Sequence, residues 1–129
     1  GRALIPADRR ARATMEQWLS WQASELALVS RYAFLALGRP TPGYDNREKI
    51  AVSIEHWSAK MAIVERALAG RGGYIAGSAL SLADIALGVA LHRWFATPFG
   101  KPELPRVRAY YEALRQRKAA VAYLGDGTP

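Results

Sequence analysis

The chain has 129 residues, half of them hydrophobic and 22% charged, with no cysteine, 18 Lys and Arg against 11 Asp and Glu, and a formal net charge of +7. That length supports one domain with a single core, and the composition is ordinary for a folded globular protein. Without cysteine there is no disulfide, thiolate metal site or cysteine nucleophile, and without an apolar run of about 18 residues there is no membrane-spanning helix.

The opening "GRALIPADRR" lacks the apolar stretch of a secretion signal, so a cytoplasmic setting is expected. Residues 1–6 read as a linker remnant, and a helix is predicted over about 7–37, with Pro6 and Asp8 as start signals. Its first half is amphipathic, with Met15, Trp18, Leu19, Gln22, Leu26 and Val29 on one side. Its second half, "LALVSRYAFLAL", is apolar almost all round and is expected to pass through the interior. "GRPTPGYDN" breaks the chain, and a second helix starts near Asp45 or Asn46. Ile50, Ile54, Trp57, Met61, Val64 and Leu68 form its stripe, at spacings of 4, 3, 4, 3 and 4. "AGRGGYIAG" ends it where a left-handed glycine cap is easy.

The third helix, over 82–97, opens inside "GSALSLADIALG" and is apolar on every side. With Ser81 as N-cap, Asp84 is the third helical residue, and its carboxylate reaches back to the Ser81 amide while the Ser81 hydroxyl accepts from the Asp84 amide. Leu80 and Ile85 complete a hydrophobic staple across this capping box. A helix with no polar face is buried, so its first amides need protein partners, and the carboxylate also suits the positive end of the helix dipole. Asp84 therefore reads as structural. A fourth helix follows from Pro105 with Val107, Tyr110, Tyr111 and Leu114 inward; a short turn or helix over 119–124 and a frayed tail over 125–129 close the chain. The fold class is all-α, a bundle of four main helices plus a short C-terminal one, in a single domain.

"GGYIAGSALSLADIALGVALHRW" resembles the segment of the C-terminal helical domain of glutathione S-transferases in which Ser-x-x-Asp opens the central buried helix. "LIPADRRARATMEQWLSWQASEL" is similar to the linker and first long helix of that domain, and "LPRVRAYYEALRQRKAAVAYL" to its closing helices. The nearest flavour is the bacterial theta-like or beta-like transferases, where a Trp and two Arg recur as Trp21, Arg31 and Arg39 do here.

The resemblance implies a helical domain that lines the pocket for an electrophile and contributes to a homodimer. It implies glutathione as the co-substrate of a parent enzyme, and no metal. A complete transferase begins with a thioredoxin-like domain that grips and activates glutathione; this chain begins where the second domain begins. It therefore resembles the back half of such an enzyme, or a stand-alone helical module, and no catalytic residue is expected in it.

Trp21, Arg31, Tyr32, Arg39 and Trp94 are the candidate substrate-binding residues. Arg31 either holds an anionic substrate or the glutathione carboxylate, or lays its stem over the core, or pairs with Glu25 at a separation poor for one helix face. Arg39 stands in a loop, open to either role. The aromatics line an apolar pocket, or pack in a second core contact, or meet the absent domain. His56 and His92 lie on different helices without carboxylate support, which speaks against a metal. The second functional reading is an interaction module of the kind appended to translation factors and tRNA synthetases. Its basic charge suits a ribonucleoprotein, but the arginines are scattered rather than striped, so nucleic acid is not the expected partner. No membrane partner is expected.

Overall fold

The computed structural model describes residues 4–70 and 72–118. Among the described residues the regular elements are all helices, with no strand. Asp8 caps α1 (Arg9–Trp21), its Oδ2 accepting from the Ala11 amide at 2.9 Å. The helix thus starts two residues later than expected, because a capping residue holds extended backbone. The rod continues to residue 38, but two π-helical turns interrupt it: Gln22–Leu26, then α2 (Ala27–Ala33), then Phe34–Gly38.

Each π turn has a neighbouring hydroxyl that competes for the α-helical ladder. At the first, the Ser24 hydroxyl donates to the Ser20 carbonyl at 2.7 Å, the acceptor its own amide takes in an α-helix. At the second, Ser53 reaches across from the next helix. Its Oγ donates to the Val29 carbonyl at 2.6 Å and accepts from the Ala33 amide at 3.0 Å, so it stands between two groups that an α-helix bonds to each other. Five residues on, the Arg39 amide closes the π turn on the Phe34 carbonyl. Each π turn adds a residue to the helix and turns the following face by about 100°. The second half of the rod therefore does not run wholly through the interior as its composition suggests. Leu26, Ala33 and Phe34 are buried, but Leu28 is 77% exposed.

Asn46 caps α3 (Arg47–Leu68), accepting from the Lys49 amide at 3.0 Å. Trp57, Met61 and Val64 of the expected stripe are in the core. The helix ends at Ala69 in right-handed geometry rather than on a left-handed glycine; positive φ comes later in the loop, at Gly73 and Gly77. α4 (Leu82–Ala96) is the central helix, with eight buried residues. Gly38 lies against its end so closely that a Cβ there meets Thr97 Oγ1 at 2.7 Å and the Phe34 ring at 2.8 Å.

α5 (Pro105–Arg115) presents Val107, Tyr110, Tyr111 and Leu114 to the core, as the sequence pattern requires. Its cap comes from another helix. Leu104 offers no side-chain acceptor, and Glu65 of α3 takes the amides of Arg106 at 3.1 Å and Val107 at 2.9 Å. The expected short helix over 119–124 and the tail over 125–129 lie outside the described residues.

Candidate functional site

Two adjoining depressions of about 100 and 310 Å³ run between the middle of the first rod and one face of α4, sharing Ala27, Ser30 and Arg93. Small residues (Ala23, Ala27, Ala86, Ala90) leave the space, and Trp57 and Phe34 supply aromatic surface within it. Two cations, Arg31 and Arg93, line the larger depression without a lining carboxylate. Phe34 holds the guanidiniums of Arg39 and Arg93 over its ring, at 5.2 and 5.0 Å from the centroid. A guanidinium held over a ring by cation–π attraction keeps N–H donors for an acceptor. The arrangement is a mixed slot, apolar and aromatic with Gln22, Ser24 and Ser30 in its lining and cations at its rim, suited to a partly apolar body carrying a carboxylate or similar anion.

The buried end of α4 is built in the opposite way. Asp84 is fully buried, and both legs of the capping box with Ser81 are present. Its Oδ2 accepts from the Ser81 amide at 2.8 Å and from the Ser81 hydroxyl at 3.3 Å. Its Oδ1 accepts from the Ile75 amide at 2.9 Å and from the Tyr110 hydroxyl. The staple residues Leu80 and Ile85 are buried around it. Burial, then the Asp84 charge and its hydrogen bond, push the Tyr110 phenol far above its usual range, so Tyr110 stays a neutral donor. Asp84 therefore ties α4, the preceding loop and α5 together, and no part of it faces the groove.

The chain belongs to the glutathione S-transferase C-terminal domain family. The model of that domain matches residues 9–113. Among solved structures, the chain is 30% identical to the theta class glutathione S-transferase of the citrus canker pathogen Xanthomonas axonopodis pv. citri with glutathione bound. The match covers 97% of this chain and 60% of that one, with a TM-score of 0.88. The apo form of that protein gives 31% identity, 95% and 65% coverage and a TM-score of 0.86. A sphingomonad glutathione S-transferase complexed with glutathione is 30% identical over 94% of this chain and 57% of that one, with a TM-score of 0.75. The chain thus spans less than two thirds of each of these transferases. No curated protein sequence matches it.

Within the transferase domain, the five candidate residues separate. Arg31 lines the groove, and Arg39 reaches it through Phe34. Tyr32 belongs to a different groove, between α2 and α3; it stacks obliquely on Tyr44 at 5.1 Å, and its hydroxyl accepts from the Asn46 amide at 3.1 Å. Trp21 packs edge-on against Trp18 at 5.2 Å and lines none of the grooves described here. Trp94 is 1% exposed, sits between Trp57 and Phe99, each 5.3 Å away, and lines neither the Arg31 groove nor the one that holds Tyr32. Glu25 pairs with Lys60 at 3.0 Å, not with Arg31. Among the described residues no three His, Asp or Glu side chains are grouped to hold a metal, and no helix is long and apolar enough to cross a membrane.

Arg93 and Phe34 were not among the candidates. Arg93 had a signal. Ala86, Val89, Ala90 and Arg93 follow the 3–4 spacing of one helix face, and Arg93 is its single polar member. A charged residue ending a stripe of small apolar ones marks where a buried helix reaches a cleft.

Proposed function

We propose that this chain is the electrophile-binding half of a glutathione transferase. Family membership and the groove between α2 and α4 support that reading, and the groove carries it, being lined by small and aromatic residues with Gln22, Ser24 and Ser30 among them and edged by Arg31 and Arg93. In this reading the thiolate of glutathione attacks the electrophile, and an upstream thioredoxin-like domain lowers the thiol pKa. The helical half excludes water from the electrophile and holds its anionic end, or a glutathione carboxylate, on Arg31 and Arg93. In this reading thiol activation belongs to that upstream domain, and conjugation is expected only when the two halves act together.

The same reading gives a use to the groove of about 530 Å³ between α2 and α3, where Leu28 and Val52 are 77% and 49% exposed. Apolar surface of this kind is proposed to be covered in a homodimer, in a cytoplasmic setting. The test of the main reading is titration of the chain with the glutathione conjugate of dinitrobenzene, followed by tryptophan fluorescence, since Trp57 lines the groove. Saturable quenching is expected, weakened about tenfold in Arg93→Gln and in Arg31→Gln. Quenching that does not saturate, or that both variants retain, sinks the proposal.

A further inference from the structure

α4 has a second functional-looking face. His92, Phe95 and Ala96 lie about 120° around the helix from Ala86, Ala90 and Arg93, and they line a separate cleft of about 360 Å³ against α5. No residue is shared between that cleft and the electrophile groove. Lys101, Arg108 and Arg115 bring three positive charges into it, against the single carboxylate of Glu112. Glu112 meets only Arg115, at 4.0 Å and with both side chains about half exposed, which neutralises little. Among the described residues Lys101 and Arg108 form no ion pair.

These cations are held in place. Phe95 and Tyr111 stack at 5.0 Å with their planes 24° apart. Arg108 lies over the Phe95 ring at 5.1 Å and Arg115 over the Tyr111 ring at 5.6 Å. The rings hold both guanidiniums by cation–π attraction, which does not use up their N–H donors. The Lys101 ammonium sits 4.2 Å from the centre of the Phe99 ring and donates to the carbonyls of Thr97 and Phe99. Tyr111, under Arg115, is itself fixed by His92, whose Nδ1 is 3.0 Å from its hydroxyl.

Burial, then the nearby charge of Arg108, pull Lys101 below its usual range, so the fold holds these cations together at a cost that a bound anion relieves. Two planar forks and a point charge in a small cleft match the geometry of a tetrahedral oxyanion better than that of a long polyanion, which needs an extended basic track.

We propose that the α4–α5 cleft binds a small phosphorylated ligand, with Arg108 and Arg115 as forks and Lys101 as the point charge, at a site separate from the electrophile groove. The test is isothermal titration of the chain with sodium pyrophosphate at low ionic strength, repeated with glycerol 2-phosphate. One saturable site with Kd below about 1 mM is expected, weakened at least about tenfold in Arg108→Gln and in Lys101→Gln. Arg66→Gln, an exposed cation at the end of α3 and outside the cleft, leaves it unchanged.

Should Lys101→Gln fail to fold, the double variant Arg108→Gln/Arg115→Gln carries the test, because both side chains are exposed. Tighter binding of the ester identifies an esterified metabolite as the ligand class, and tighter pyrophosphate a free oxyanion. No saturable heat overturns the site, and so does a loss in Arg66→Gln equal to that in Arg108→Gln, which marks diffuse surface charge.

Discussion

Asp84 and Arg93 stand nine residues apart on one helix and show opposite uses of charge. The Asp84 carboxylate is sealed from water and meets donors from Ile75, Ser81 and Tyr110. The Arg93 guanidinium is exposed, rests on Phe34 and meets no carboxylate among the described residues. A buried charge persists only when its environment satisfies it, so such a group belongs to the architecture. An exposed cation held against a ring and left unneutralised adds little to stability and keeps its hydrogen-bond donors for a ligand.

Three substitutions press on that contrast. Asp84→Ala removes the acceptor from two buried amides and a buried phenol at once, and a loss of about 3–5 kcal/mol is expected from the urea midpoint. A loss under about 1 kcal/mol would break the comparison, because it would mean that water replaces the carboxylate.

Tyr110→Phe leaves Asp84 its amide donors, and a loss of about 1 kcal/mol at neutral pH is expected. It also has a pH signature. The folded-state pKa of Tyr110 is raised above the ordinary 10.0, so the folded form binds the proton more tightly than the unfolded one. Stability from this group is complete below about pH 10 and is lost as pH rises beyond it. The alkaline limb of the stability curve should therefore be shallower in Tyr110→Phe than in the parent, and identical limbs would show that the phenol is not buried against the carboxylate. Smallest on stability is Arg93→Gln, expected to shift the midpoint by less than about 0.5 kcal/mol while it weakens binding of the conjugate. A large stability loss there would place Arg93 with Asp84, on the architectural side.

How much of this was legible beforehand depended on how local each feature is. The capping box at Ser81 and Asp84 spans four positions, and a helix apolar all round can only be buried, so the sequence carried both its role and its place. The α3 stripe and the inward face of α5 were readable for the same reason, since the helical period alone assigns them. Arg31 could be marked as an arginine in apolar surroundings, but nothing local said whether it faced solvent, core or cleft.

What the sequence determined by itself was the all-helical class, the start of each main helix to within two residues and the family likeness, because caps, breakers and the 3.6-residue period act within a few positions. Tertiary structure alone decided the rest. Ser53 enters the ladder of the first rod from 20 residues beyond Ala33, and the packing of α3 along one side of α2 puts Tyr32 in one groove and leaves its neighbour Arg31 in another. Glu65 caps α5 from 42 residues upstream of Val107, and Tyr110 completes Asp84 from 26 residues downstream. A hydroxyl or carboxylate far along the chain carries no mark of the amide it will meet. Only packing brings the two within 3 Å, and that packing also turned Trp94, a plausible pocket aromatic in the sequence, into core.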